Sequence, residues 1–344
     1  MHVPQGNGPT VAALVPCFNE AATISGVVSE LRTALPEATV YVYDNNSTDE
    51  TAHIASAAGA IVRSVPLQGK GNVVRRMFAD IDADVYVLID GDGTYDASHA
   101  GDLVALVDEG GYDLVNGRRI ADADQYSHPR HQMGNHLLSR LVHWLFGRSD
   151  FDMLSGYKAM SRRFVKSFPM FSNGFEVETE LTVHALDLAM PIESVPLAYR
   201  SRPEGSESKL STYKDGYRII RTISTLVRRE RPLAFFGVIA LLLFVLAVIL
   251  GIPILTTYLH THTVPRFPTA FVVVGLIVLS VLIAISGLIL DTVTRGRKET
   301  KMLRYLELAG PLERRAARQA ESSAREAVPG RERGLYGVQR HDTA

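Results

Sequence analysis

Two carboxylates one residue apart, Asp90 and Asp92, stand directly after the apolar run Val85-Tyr-Val-Leu-Ile89, with glycines at Gly91 and Gly93. Hard oxygens so placed suit Mg2+ or Mn2+, which take few protein ligands and fill the shell with water and phosphate oxygens. An acidic surface turn would carry the same residues. Gly69-Lys70-Gly71 precedes a helical pattern and offers a phosphate backbone N–H groups, a dipole end and one ammonium. Glycines there also make an ordinary turn. Arg118 and Arg119 read either as an anion clamp or as solvated surface arginines. Arg200, Arg202, Ser208 and Lys209, with Gly205 among them, form a cationic loop that fits phosphate.

These residues need a frame, and the chain supplies one by alternating strand and helix patterns. Val11–Val15, Val40–Tyr43, Ala60–Val65 and Asp84–Ile89 read as strands; Ala21–Leu35, Asp49–Ala58 and Asn72–Ile81 read as helices. That alternation implies right-handed crossovers and a largely parallel sheet, with ligands at the carboxyl ends of its strands. The polar clusters fall there: Pro16-Cys-Phe-Asn-Glu20, Asp44-Asn-Asn-Ser-Thr-Asp49 and Asp90-Gly-Asp-Gly-Thr94. Neither GxGxxG nor GxxxxGK[ST] follows the first strand, which disfavours a dinucleotide dehydrogenase and a P-loop NTPase. A net charge of -1 over 344 residues argues against a nucleic-acid binder. The single cysteine, Cys17, excludes an internal disulfide framework and a multi-thiolate zinc site.

The apolar residues are unevenly spread. Pro232–Leu259 and Phe267–Leu290 contain no Asp, Glu, Lys or Arg and are each long enough to cross a bilayer core of about 30 Å. Only His260–Arg266 separates them, so a helical hairpin is expected. Arg228, Arg229 and Arg231 precede the first run; Arg295, Arg297, Lys298, Lys301 and Arg304 follow the second. By the positive-inside bias both ends face the cytoplasm. The first apolar run, Val11–Val15, is too short for a cleavable signal. Leu137, Leu138, Leu141, Val142, Leu145 and Phe146 recur at helical spacing beside Trp144 and suit either a membrane interface or a core-facing helix. Tyr213–Arg229 mixes apolar and basic residues and is expected to rest on anionic headgroups. From about Pro311 to Ala344 the chain is rich in Arg, Glu, Ala and Gly, and a frayed helix or disordered tail is expected.

Taken in order, Pro16-x-x-Asn19-Glu20, Asp44-x-x-Ser47-x-Asp49-x-Thr51, Gly69-Lys70-Gly71, Asp90-x-Asp92, Ser155-Gly156-Tyr157 and Gly-x-x-Ser-Lys209 resemble the inverting family 2 glycosyltransferases. Within that family the set is most similar to the polyprenyl-phosphate and dolichyl-phosphate sugar synthases, dolichol-phosphate mannosyltransferase among them. The resemblance covers about Val11 to Leu210. It implies an α/β fold of GT-A type, Rossmann-like with a mostly parallel sheet, followed by the two-helix transmembrane hairpin. It also implies a nucleotide-sugar donor such as GDP-mannose or UDP-glucose, a divalent metal (Mg2+ or Mn2+) and a lipid phosphate acceptor. The domain organisation expected is a cytoplasmic catalytic domain over 1–210, an amphipathic juxtamembrane segment over 211–231, two spans within 232–292, and a basic segment and tail over 293–344.

Carried over by motif, Pro16, Asn19, Glu20, Asp44, Lys70 and Asp90 would bind the nucleotide sugar, and Asp90 and Asp92 would hold the metal. Arg118, Ser155, Arg202, Ser208 and Lys209 would meet phosphate groups of donor or acceptor. Asp92 and Glu178 would be catalytic, Glu178 near the transferred sugar; a plain helix-face glutamate is the alternative. The chain departs from the family pattern at Asn45, where many members have a second Asp, at Thr94 in place of a Gln, and at Lys158 in place of an Arg. The loop between Arg202 and Ser208 is one residue longer. Two other readings stand beside this one. A processive polysaccharide synthase normally carries Gln-x-x-Arg-Trp, which the lone Trp144 after His143 does not provide. A membrane scaffold with a decayed sugar-nucleotide domain is at odds with the retained Asp90, Asp92 and Lys209. A homo-oligomer through the spans is open, though Gly275 and Gly287 lack GxxxG spacing.

Overall fold

The computed structural model describes residues 8–121, 152–170, 174, 176–200, 224–225 and 227–326. The interfacial segment Leu137–Phe146 and most of Tyr213–Arg229 lie outside these residues. The described residues divide into two compact units, one of 8–121, 152–200 and 305–326, the other of 224–304.

The first unit is built on seven strands: β1 Val11–Cys17, β2 Thr39–Asp44, β3 Ile61–Ser64, β4 Val85–Leu88, β5 Leu114–Ala121, β6 Lys158–Ser161 and β7 Ile192–Tyr199. They form one sheet in the order β3-β2-β1-β4-β6-β5-β7. β1 pairs in parallel with β2 and β4, β2 with β3, and β5 with β7. Only β6 runs the other way, against β4 and β5. The helices are α1 Ile24–Ala34, α2 Thr51–Ala57, α3 Lys70–Asp80, α4 Ala100–Asp108, α5 Arg162–Ser167 and α6 Val177–Asp187.

The sheet is covered on both faces, which is why its strands read as nearly continuous apolar runs. Ile24, Val28 and Leu31 of α1 and Leu103 and Val107 of α4 pack with Ala13, Val15, Val42 and Val87. Alternate residues point the other way. There Leu14, Tyr86 and Leu88 are buried with Val73, Met77 and Phe78 of α3, Phe164 of α5 and Leu181 of α6. Phe78 meets Tyr86 edge-on at 6.1 Å, and Phe164 meets His184 at 5.4 Å. Each fully buried Leu or Ile contributes about 1.5–3 kcal/mol.

Two further helices follow in the second unit, α7 Pro232–Thr261 and α8 Phe267–Leu306. Both are long and apolar enough to cross a membrane. They run antiparallel: Ser280 Oγ donates to the Ala240 carbonyl at 2.9 Å, Gly287 lies against Phe236, and Thr294 Oγ1 donates to the Arg229 carbonyl. Small residues sit at the contact, Ala240 and Ala247 being buried while Leu241, Leu242 and Phe271 are exposed. Helix α8 continues well past the apolar run, to Leu306.

Of the two alternatives for the tail, a frayed helix or a disordered segment, the described part is helical. Pro311–Glu326 forms a helix, α9, tied to the α/β unit. Asp84 accepts from Thr10 N and Oγ1 and is ion-paired to Arg314 and, at 3.2 Å, to Arg318. Arg318 also meets Asp108, and Arg315 meets Glu109 at 3.1 Å. Burial works against the Asp84 charge, yet the Thr10 amide and Arg314 hold its pKa below the ordinary carboxylate value. The fully buried Asp113 is satisfied by Ser161 at 2.6 Å, Arg163 at 2.7 Å and Tyr305 Oη at 2.7 Å. Buried carboxylates need such partners, and part of the supply comes from beyond the apolar helices.

Candidate active site

Strand direction gathers the site. Parallel β2, β1 and β4 deliver Asp44, Pro16–Glu20 and Asp90–Thr94 to one edge of the sheet. Because β6 is antiparallel, its first residue, Lys158, lies opposite Leu88 of β4 and Asn116 of β5. The preceding Ser155-Gly156-Tyr157 therefore arrives beside Asp90, and the end of β5 brings Arg118 and Arg119 to the same edge.

The loops after β1 and β2 are stitched together. Asn19 N donates to Ser47 Oγ at 2.9 Å, Asn19 Oδ1 accepts from Thr48 N at 2.8 Å, and Glu20 N donates to Thr51 Oγ1 at 2.9 Å. Asn19 takes a positive φ of 54° to do so. Asp44 is buried; its Oδ2 accepts from Ser47 N, while Oδ1 has no hydrogen-bond partner among the described residues. An orphaned buried acceptor at this edge suits a ligand that brings N–H or O–H groups. Asn45, the departure from the family pattern, is a structural pin. Its Nδ2 donates to Val65 and Leu67 carbonyls at 3.0 and 2.9 Å, and its Oδ1 accepts from Gly69 N at 2.7 Å. Gly69, at φ 125°, then starts α3 with Lys70.

Lys70 makes the central contact. Its ammonium is ion-paired to both Asp90 Oδ1 and Glu178 Oε1, with its side chain 9% exposed. Burial opposes that charge, but Asp90 and Glu178 together raise the Lys70 pKa. Burial pushes Glu178 upward against the pull of Lys70, and Asp90 adds to the push. Glu178 Oε2 has no partner among the described residues. The Asp90 carboxylate lies over Gly156, where any Cβ would collide with it. Gly156 is fixed in turn by its N–H, which donates to Tyr95 Oη at 2.8 Å. Asp92 is buried, and its Oδ1 accepts from Thr94 N and Oγ1 at 3.1 and 2.6 Å. Gly93, at φ 70°, makes the turn between them.

The donor set fits a hard divalent cation held mainly by a ligand. Among the described residues no three His, Cys, Asp or Glu gather as a protein-only metal site. Asp90 and Asp92 supply two hard oxygens, and water and phosphate would supply the rest.

Several expected anion contacts are used otherwise. Arg119 is bidentate to Asp152 at 2.6 and 2.9 Å and lies over the Tyr199 ring. Arg200 is paired to Glu30 and Asp96. Ser155 is fully buried, its hydroxyl donating to the Gly117 carbonyl at 2.5 Å and accepting from Tyr157 N at 3.2 Å. These bonds shape the turn that carries Gly156. Arg118 is exposed and makes no ion pair among the described residues. Arg202, Ser208 and Lys209 lie outside those residues.

Sequence reasoning missed the buried layer behind the site. Lys158 is fully buried; its Nζ donates to Asn116 Oδ1 at 2.5 Å, and Asn116 Nδ2 donates to the Asp152 carbonyl. Burial pushes the Lys158 pKa down to about 8, against Asp152 and Glu178. The available signal was a lone lysine opening a strand.

Comparison with known proteins gives a consistent likeness. The family model described as glycosyl transferase family 2 matches residues 12–168. A Shigella flexneri protein is 51% identical over 154 residues, 45% of this chain and 94% of its own. Glycosyltransferase AglJ of Haloferax volcanii is 36% identical over 229 residues, 66% of this chain and 75% of its own. The dolichyl-phosphate hexose transferase of the same organism is 27% identical over 221 residues, 64% of this chain and 95% of its own. Among solved structures, Mycobacterium tuberculosis glucosyl-3-phosphoglycerate synthase with Mn2+, UDP and glucosyl-3-phosphoglycerate superposes with a TM-score of 0.54. It shares 26% identity over 67% of this chain and 86% of its own.

Proposed function

Because the chain belongs to glycosyl transferase family 2, with a GT-A α/β unit, we propose that it transfers a sugar from a nucleotide sugar to a polyprenyl or dolichyl phosphate at the cytoplasmic membrane face. The observation that carries the donor half is the carboxylate pair Asp90 and Asp92 on the edge that also holds the orphaned Asp44 oxygen. The acceptor half is supported by two membrane-length apolar helices on the same chain and by the likeness to a dolichyl-phosphate hexose transferase.

In this reading Asp44 accepts a hydrogen bond from the nucleoside, with Pro16, Asn19 and Glu20 around it. Asp90 and Asp92 would hold Mg2+ or Mn2+, which when bound would supply positive charge against the leaving diphosphate. Arg118, with Arg202, Ser208 and Lys209, meets phosphate groups, and Glu178 orients sugar hydroxyls. The acceptor is a phosphate monoester with a second pKa near ~6, already mostly dianionic at neutral pH. It therefore needs cationic guidance and in-line placement more than a general base. One acceptor oxygen bonds to the anomeric carbon as the bond to the diphosphate breaks. The electron pair leaves with the nucleoside diphosphate, and no proton moves. A single displacement turns an α-linked donor into a β-linked lipid phosphate.

The test is a donor screen on membranes containing the protein. Labelled GDP-mannose, UDP-glucose and UDP-N-acetylglucosamine are each offered with polyprenyl phosphate and Mg2+ or Mn2+. The expected result is label in the organic phase with one donor. Asp92→Asn should reduce it about 100-fold or more, since a metal contributes several kcal/mol. A donor turned over only with a water-soluble phosphorylated acid would move the acceptor class toward that of the mycobacterial synthase. No transfer and no nucleotide binding would favour the non-catalytic scaffold.

A further inference from the structure

We propose that Lys70 is a resident counter-ion of the metal-binding carboxylates, one a divalent cation must displace, so that metal enters with the nucleoside diphosphate instead of ahead of it. The inference rests on the donor-and-metal reading above and adds the order in which the site fills.

Three observations carry it. First, the Lys70 ammonium stands on Asp90 Oδ1, an atom the cation would claim, and is the one cation paired with either Asp90 or Glu178 among the described residues. Second, Asp90 is confined on one side, because its carboxylate fills the space over Gly156 and Gly156 is held by Tyr95. Third, the Lys70 backbone is anchored on both sides. Gly69 N is held by Asn45 Oδ1 at 2.7 Å, and Gly71 N donates to the Gly174 carbonyl at 3.2 Å. Only the side chain is left to move.

A dication and an ammonium repel each other at one carboxylate oxygen, and the burial of Lys70 and Glu178 leaves that repulsion poorly screened. Metal arriving alone must push Lys70 off Asp90 and leave it with Glu178 only. Metal arriving with a diphosphate brings the ammonium a new anion to pair with in place of Asp90. Metal and nucleotide are thereby coupled through one side chain, and the coupling is reciprocal.

Mn2+ binding to the detergent-solubilised full chain, read from the EPR signal of free Mn2+ with and without UDP or GDP, tests this. In the wild type Mn2+ alone should bind weakly, and the nucleotide that fits should tighten it. Lys70→Met should tighten Mn2+ alone about tenfold and shrink the nucleotide-dependent gain by a similar factor. Glu178→Gln should act oppositely and weaken Mn2+ alone, because Lys70 then has Asp90 as its only partner. A purely structural Lys70 predicts weaker binding in Lys70→Met. Unchanged or weaker Mn2+ binding there, beside a wild type that binds Mn2+ with nucleotide, overturns the inference and leaves the enzyme reading intact. Should Lys70→Met fail to fold, Glu178→Gln carries the test, and tighter or unchanged binding in it overturns the proposal. A wild type that binds neither Mn2+ nor nucleotide overturns both.

Discussion

Lys158 shows how far one residue's ionisation reaches. Its folded pKa, pushed down to about 8 by burial, lies below the ~10.4 of an unfolded lysine. Between those values the unfolded chain binds more protons, so stability should rise with pH there. Below about pH 8 the buried charge carries a constant penalty on the order of 3 kcal/mol. The wild type should therefore gain on Lys158→Met by about 2 kcal/mol between pH 7 and pH 9.5. Thermal unfolding of both proteins in detergent at the two pH values measures that change, and an unchanged gap would mean an ordinary lysine pKa. The sequence singles out Lys158 only as a departure from the family pattern and does not signal its burial. The placement of Asp90, Asp92 and Asp44 at one edge was legible because each ends or closely follows an apolar strand run. Lys158 is buried by β4 and β5, strands far from it in sequence, so its environment is a tertiary fact. The same holds for Ser155 and Arg119, whose partners Gly117 and Asp152 are 38 and 33 residues away.

At the scale of elements, the first four strands and three helices were readable to within a few residues, since each pairs an apolar period with a polar loop. The later strands were harder. β6 has four residues, one of them lysine, and reverses direction, leaving little pattern to read. The docking of helix α9 on the α/β unit was hidden for a different reason. Its arginines look like a solvated face, and their buried partners lie more than 200 residues earlier. If those pairs hold α9, Asp84→Asn should raise amide hydrogen exchange across 311–326 about tenfold or more while β1 and β2 keep their protection. Added salt should reproduce only a small part of this, because Asp84 is buried and poorly screened. Equal protection in variant and wild type would show that packing alone seats the helix.

For the whole molecule, the division between an α/β unit and an apolar helical pair was visible from the distribution of charged residues. The side of the membrane facing each end rests on the basic residues flanking the spans. The chain is suited to testing it, since its only cysteine, Cys17, is buried. Thr263→Cys, between α7 and α8, should react in intact cells with a membrane-impermeant maleimide, while the parent protein does not. Labelling only after permeabilisation would reverse the orientation.

The return of the chain to the α/β unit also sets a schedule for its birth. Asp113 and Tyr305 are 192 residues apart, and Asp84 and Arg314 are 230 apart. At about 5–20 residues per second, Asp113 waits roughly 10–40 seconds on the ribosome for its phenol partner. During that interval Asp113 has Ser161 and Arg163 but lacks Tyr305, and Asp84 has Thr10 but lacks Arg314 and Arg318, while both apolar helices are translated in between. The α/β unit is thus completed only after both apolar helices have been translated, so its last contacts wait on the segments that are long and apolar enough to cross a membrane.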